Sequence, residues 1–245
     1  MRMKRINCAF LFLSLGIAHA LAQTPAKAPD QPKVKQPWEL EWAYLSKYHD
    51  ADAQLGSPGT TENRVVFYGD SITEAWGSVE GEFFAAKPYV NRGISGQTTS
   101  QLLVRFRQDV IGIKPSVVVI LGGTNDIAEN GGKTTLEAIE DNLQSMVELA
   151  RVNGIRVVLS SVLPTLDYPW RPGLKPRDKI TSLNRWIERY CRLNQIGYLD
   201  YYAAMVDANG ALRPELSKDG VHPTSAGYAI MGPMAEEAIR EALKR

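Results

Sequence analysis

The stretch Val65-Val66-Phe67-Tyr68-Gly69-Asp70-Ser71-Ile72-Thr73 decides how the rest of the chain is organised. Four residues with the composition of a buried strand run into a glycine and two small polar residues, and the backbone must bend there. A strand-to-helix turn at this place lifts the Ser71 hydroxyl to the C-terminal edge of a sheet. It also aims free backbone N–H groups at whatever lies above. The plainer reading is that Asp70 or Ser71 only caps the next helix, a common job for both residue types.

Downstream the same script repeats. Residues 89–91, 117–121, 155–160 and 198–200 read as further strands. Helical periodicity covers residues 99–110, 135–153, 179–194 and 225–244, with Gly154 as the expected cap of the second. The strands are continuous apolar runs rather than alternating ones, which calls for a parallel sheet covered by helices on both faces. The expected fold is therefore α/β: a three-layer α/β/α sandwich around a five-stranded parallel sheet. Ligands of such sheets gather beyond the C-terminal strand ends.

Upstream, residues 38–49 set Trp38, Trp42, Leu45 and Tyr48 at helical spacing, so an outer helix is expected there with His49 on its surface. Residues 23–37 are rich in Pro and Lys with almost nothing to bury, and read as an exposed linker. Residues 1–22 have the pattern of a signal peptide: a basic start, an apolar core over 6–18, and small residues ending at Ala22, the expected cut. That core is well below the ~20 residues needed to span a bilayer. Cleavage removes Cys8 and leaves Cys191, expected on a buried helix face, so no intramolecular disulfide can form. The mature protein is expected in the periplasm or the medium, with no stable membrane insertion.

The formal charge of +1 becomes −2 once Arg2, Lys4 and Arg5 leave with the signal. Bulk electrostatics therefore argue against nucleic acid or an anionic membrane as partner. About 220 mature residues suit one domain, expected over residues 38–245.

On this frame the unusual residues fall together. Ser71 follows the first strand, Gly96 the second, Asn125 the third, and Asp219-Gly220-Val221-His222-Pro223 lies after the fifth. All four positions share one sheet edge, and the chemistry they suit is acyl transfer. A serine hydroxyl is a weak nucleophile until a base takes its proton. His222 is the credible base, since His19 lies in the signal and His49 in the outer helix. Asp219, three residues before it, can hold the imidazole in the right tautomer. The amides of Ser71 and Gly96 and the side chain of Asn125 can supply an oxyanion hole. Singly these features are weak: Asp-x-x-His is often a solvated turn, and Gly-Gly-Thr-Asn-Asp a plain one. Their joint order favours catalysis.

These blocks (Gly69-Asp70-Ser71, the Gly96 segment, Gly123-Thr124-Asn125-Asp126 and Asp219-x-x-His222) resemble those of the SGNH, or GDSL-type, serine hydrolases. The resemblance covers residues 63–243, in family order, with Ile72 where the family's leucine stands. It implies a flavodoxin-like fold and a triad of Ser71, Asp219 and His222, with Ser71, Gly96 and Asn125 at the oxyanion. Within the family the chain looks like the branch of platelet-activating-factor acetylhydrolase-like proteins and bacterial carbohydrate acetylesterases.

Other motifs fail. No Gly-x-Ser-x-Gly elbow is present. Gly132-Lys133-Thr134 echoes a phosphate loop, but Ile127 occupies the place of its first glycine. Too few His and Cys remain for a zinc site, so neither metal nor cofactor is expected.

The proline-stiffened residues 164–176 should overhang the catalytic edge, with Tyr168, Trp170 and Arg171 as one wall of the pocket. Trp76, just past the nucleophile, could join them, and either tryptophan could instead be packing. The expected function is an exported serine esterase that removes a small acyl group, acetyl above all, from carbohydrate. The alternatives are an arylesterase or lysophospholipase/thioesterase of longer acyl preference, and a carbohydrate-binding domain without hydrolysis. Oligomeric state is left open.

Overall fold

The apolar runs form strands β1 (Val65–Gly69), β2 (Tyr89–Gly93), β3 (Val117–Leu121), β4 (Arg156–Ser160) and β5 (Gly197–Leu199). The structure, a computed structural model, describes residues 41–85 and 87–245. The expected signal peptide, linker and first residues of the outer helix lie outside these. The sheet order is β2-β1-β3-β4-β5, and each neighbouring pair is parallel.

Side chains alternate across the sheet, so each strand feeds two cores. Val66, Tyr68, Val118, Ile120, Val157 and Leu159 face one layer of helices: α4 (Thr99–Phe106), α6 (Leu136–Val152) and α7 (Arg177–Asn194). Val65, Phe67, Val117, Val119, Leu121 and Val158 face the other, built on α2 (Ser71–Val79) and α9 (Ser225–Lys244). The short helices α3 (Gly81–Phe84), α5 (Thr124–Ile127) and α8 (Tyr201–Met205) finish the connections. Both faces are covered, as continuous apolar strands demand. Cys191 is buried on α7, as expected.

Two expectations shift. The helix expected over 99–110 ends at Phe106 and widens into a π-helical turn, Arg107–Ile111. The outer helix expected over 38–49 is found as α1, Ser46–Leu55. Tyr44, in the left-handed region at φ 53°, stops any helix from running through residues 42–45. The Glu41 carboxylate accepts the Ser46 N–H (2.8 Å) and caps α1 instead.

The apolar stripe misleads because α1 docks through polar groups. It buries no residue fully, and Trp42 and Leu45 before it stay exposed. Asp52 pairs with Arg92 on β2 (2.6 Å), Lys47 with Glu74 on α2, and the Tyr48 hydroxyl donates to the Gly93 carbonyl.

In this strand order the chain reverses direction between β1 and β3, and the crevice above that point is where such sheets bind ligands. Ser71 follows β1 and Asn125 follows β3.

Candidate active site

Ser71 is the first residue of α2, with Asp70 as the cap: the Asp70 carboxylate accepts the Ile72 N–H (3.0 Å). Gly69 permits the sharp exit from β1. A Cβ there would lie 2.4 Å from both the Leu121 carbonyl oxygen and Thr73 Oγ1. The Ser71 amide, as an N-terminal helical N–H, has no protein acceptor among the described residues.

The candidate base, His222, is delivered by a loop that binds itself. Asp219 Oδ1 accepts the amides of Val221 (2.9 Å) and His222 (2.8 Å). The Ser217 hydroxyl reaches the His222 carbonyl (2.8 Å) and accepts the Gly220 N–H (3.0 Å). This leaves Asp219 Oδ2 at 2.7 Å from His222 Nδ1, and His222 Nε2 at 3.0 Å from Ser71 Oγ. Both distances lie within the reach that proton transfer requires, about 2.6–3.2 Å.

Partial burial works to raise the Asp219 pKa. The His222 amide and imidazole and the Val221 amide outweigh it and hold the carboxyl at about 2. Asp219 therefore stays ionised across the neutral range, as an orienting group for imidazolium must. Full burial acts the other way on Asp70, pushing its carboxyl up to about 7 against the Ile72 amide and the His222 charge.

The Gly96 amide is also without a protein acceptor among the described residues. Its φ of +78° suits the third residue of the turn closed by Gln97 N–H to the Ile94 carbonyl (3.3 Å). A Cβ at Gly96 would meet no heavy atom within 4 Å, so it would project into open space. Asn125 Nδ2 donates one N–H to the Gln97 carbonyl (3.1 Å), and the second N–H of the amide is left over. Asn130 Nδ2 donates to Asn125 Oδ1 (2.6 Å) and fixes which end of the Asn125 amide points inward. Asn125→Ala is expected to lower kcat by about 10²–10³-fold, as loss of one oxyanion donor does. A loss below tenfold in steady-state assays would remove Asn125 from that role.

The 164–176 loop is held by Asp167, which accepts the amides of Tyr168 (3.0 Å), Gly173 (2.6 Å) and Leu174 (3.2 Å). Trp170 stands over the base, its ring centroid 5.9 Å from that of His222, and donates Nε1–H to Asn130 Oδ1 (3.0 Å). Arg171 pairs with Glu129 (3.3 Å). Tyr168 does not face the pocket: it is fully buried, with its hydroxyl against Thr124 Oγ1 (2.9 Å). Trp76 is likewise core, stacked between Phe83 (4.6 Å) and Tyr228 (5.2 Å), and packs α2 onto the sheet. Of the four expected substrate contacts, the structure sets Trp170 against His222, leaves Arg171 paired with Glu129, and buries Tyr168 and Trp76 in the core.

Several positioning residues were missed in the sequence. Glu74 accepts the Ser95 amide (2.7 Å) and steadies the loop before Gly96. Arg105, wholly buried, donates to the Gly69 carbonyl (2.9 Å), to Gln97 and to Asp109 (2.7 Å). It thereby ties the end of β1 to the Gly96–Gln97 loop. The hint available was an Arg–Asp pair four residues apart on the apolar face of a helix.

The GDSL-like Lipase/Acylhydrolase family model matches residues 67–230. A GDSL-like lipase structure from Bacteroides thetaiotaomicron VPI-5482 is 47% identical, with a TM-score of 0.81, covering 82% of this chain and 100% of that one. The acetylxylan esterase of Geobacillus stearothermophilus is 30% identical over 153 residues, 58% of this chain and 67% of that protein. The uncharacterized lipoprotein YqeF of Bacillus subtilis (strain 168) is 30% identical over 129 residues, 46% of this chain. The match spans about half (53%) of that relative's length.

Proposed function

This chain belongs to the GDSL-like lipase/acylhydrolase family and is a carboxylic ester hydrolase, and we propose that it removes small acyl groups, acetyl above all, from carbohydrate. The observation that carries this reading is the hydrogen-bonded chain Ser71–His222–Asp219 beside two amides without a partner among the described residues, with an exposed indole over the imidazole.

Ser71 Oγ attacks the ester carbonyl carbon while His222 Nε2 takes its proton. The developing oxyanion receives the amides of Ser71 and Gly96 and the remaining N–H of Asn125. The imidazolium, steadied by Asp219, then protonates the leaving alcohol oxygen, and the acyl group stays on Ser71. Water, deprotonated by His222, attacks the acyl-enzyme and releases the acid and free Ser71. Because the leaving oxygen must pass His222, the alcohol lies on the Trp170 side. An indole there suits the C–H face of a sugar ring.

The similarity to an acetylxylan esterase supports acetyl and carbohydrate as the two halves of the substrate. Export is supported by the basic-then-apolar start of the chain and by the lipoprotein relative. Among the described residues no helix is long and apolar enough to cross a membrane.

The test is acid release from acetylated sugars and from p-nitrophenyl esters of increasing chain length. Hydrolysis of the sugars, with p-nitrophenyl activity falling steeply beyond the shortest acyl groups, is expected. Activity that rises with chain length would move the reading to an arylesterase, lysophospholipase or thioesterase. No hydrolysis and no labelling by a fluorophosphonate would leave a carbohydrate-binding domain.

A further inference from the structure

Two exposed tryptophans lie near the candidate site: Trp170 over His222, and Trp42, 58% exposed, in a cleft that Gly96 also lines. Between Trp42 and that loop runs a cleft of about 750 Å³, lined among others by Tyr44, Lys47, Ile94, Gly96 and Asn130. This is within the range of ligand sites, roughly 300–1,000 Å³. It adjoins the candidate oxyanion donors through Gly96. Gly96 belongs to both, and Asn130 lines the cleft while holding Trp170 and Asn125.

The Trp42 side is built rather than loose. Glutamine side chains donate to three successive stretches of its backbone: Gln101 to the Trp42 carbonyl (2.6 Å), Gln97 to Ala43 (2.8 Å) and Gln108 to Leu45 (2.7 Å). Tyr44 is kept at φ 53°, a conformation that costs energy for a bulky residue and that gathers at ligand clamps. A fixed backbone that presents an exposed indole to a preformed cavity is arranged for contact.

The polar groups of the cleft decide what the contact is. The Gln97 and Gln101 side-chain oxygens are spent on the protein, as is one N–H of each amide. Among the described residues Lys47 has one ion-pair partner, Glu74, and an ammonium has three N–H donors. Asn130 likewise keeps an amide N–H beyond the one given to Asn125. An alkyl chain in the cleft would strip water from Lys47 and Glu74 without replacing its hydrogen bonds, which is costly. A pyranose lays its C–H face on the indole and turns its hydroxyls to those donors.

We propose that this cleft is a second sugar subsite: the acetylated residue sits at Ser71 beneath Trp170, and a neighbouring residue of the same glycan lies on Trp42. The preferred substrate is then an acetylated oligosaccharide rather than an acetylated monosaccharide. This rests on the carbohydrate reading above.

The experiment compares kcat/KM for an acetylated monosaccharide with that for acetylated di- and trisaccharides of the same sugar. It uses wild type, Trp42→Ala and Trp42→Phe, each normalised to active sites titrated with a fluorophosphonate. Wild type is expected to prefer the longer glycan by about tenfold, the value of one good aromatic contact. The preference should sit in KM, vanish in Trp42→Ala and partly return in Trp42→Phe. Acetylated sugars hydrolysed without regard to length, or a length preference that survives Trp42→Ala, would overturn the subsite alone. Loss in Trp42→Ala confined to long-chain p-nitrophenyl esters would make the cleft an acyl groove and also overturn it. Hydrolysis of p-nitrophenyl acetate but of no acetylated sugar would overturn the carbohydrate reading, and the subsite with it.

Discussion

Ser71→Ala is expected to keep less than about one part in 10⁴ of wild-type turnover on p-nitrophenyl acetate, the scale on which loss of a triad nucleophile acts. The Ser71 hydroxyl is the group that faces His222 Nε2, at 3.0 Å. Without it no covalent acyl-enzyme can form, and the remaining oxyanion donors can only assist direct attack by water. The fold should not suffer. The helix cap belongs to Asp70, and alanine is at ease in the first turn of a helix. Melting temperature is therefore expected to stay within a degree or two, a change of under about 0.5 kcal/mol. Fluorophosphonate labelling should disappear with activity. Retention of more than a few per cent of turnover in a preparation free of wild type would assign the nucleophile elsewhere.

Arg105→Met should destabilise the protein by about 3–5 kcal/mol, because it strands Asp109 as an unpaired charge in the core. Arg105 and Asp109 have side-chain exposures of 0% and 1%, so no water can replace the lost partner. The guanidinium also lies over the Tyr68 ring, 4.2 Å from its centroid, and its donors to the Gly69 carbonyl and Gln97 join the segments that carry the Ser71 and Gly96 amides. A buried ion pair is costly to break and cheap to replace. The double variant Arg105→Met/Asp109→Leu should thus recover most of the lost stability in urea unfolding. Activity need not follow it, since the tie between β1 and the Gly96–Gln97 loop stays cut. A single variant within about 1 kcal/mol of wild type would show that Asp109 is solvated, and the pair unimportant.

Much of the architecture was legible because its signals are local. Continuous apolar runs such as Val117–Leu121 can satisfy both sides only inside a sheet covered twice, and the two cores show that cover. The turn after β1 announces itself through Gly69-Asp70-Ser71, where small size and capping ability are covalent properties of the residues. Asp219 and His222 were readable for the same reason, since three residues in a tight turn fix their meeting without help from the rest of the chain. Ser71 meets His222 across 151 positions, and only the shared edge of a parallel sheet made that contact foreseeable.

What the sequence by itself determined was the layer order, the sheet edge on which Ser71 and His222 meet, and the residue types gathered there. Tertiary structure alone decided which aromatic rings reach solvent. Trp76 and Tyr168 have the composition of pocket walls, yet neighbours far along the chain, Tyr228 and Thr124, cover them. It alone decided that Arg105 is a buried tie rather than a surface charge, and that residues 42–45 form a cleft wall instead of a helix. Hydrophobic periodicity records whether a residue prefers burial. It carries no information on hydrogen-bond partners supplied by distant segments, and the Trp42 wall is held almost wholly by those.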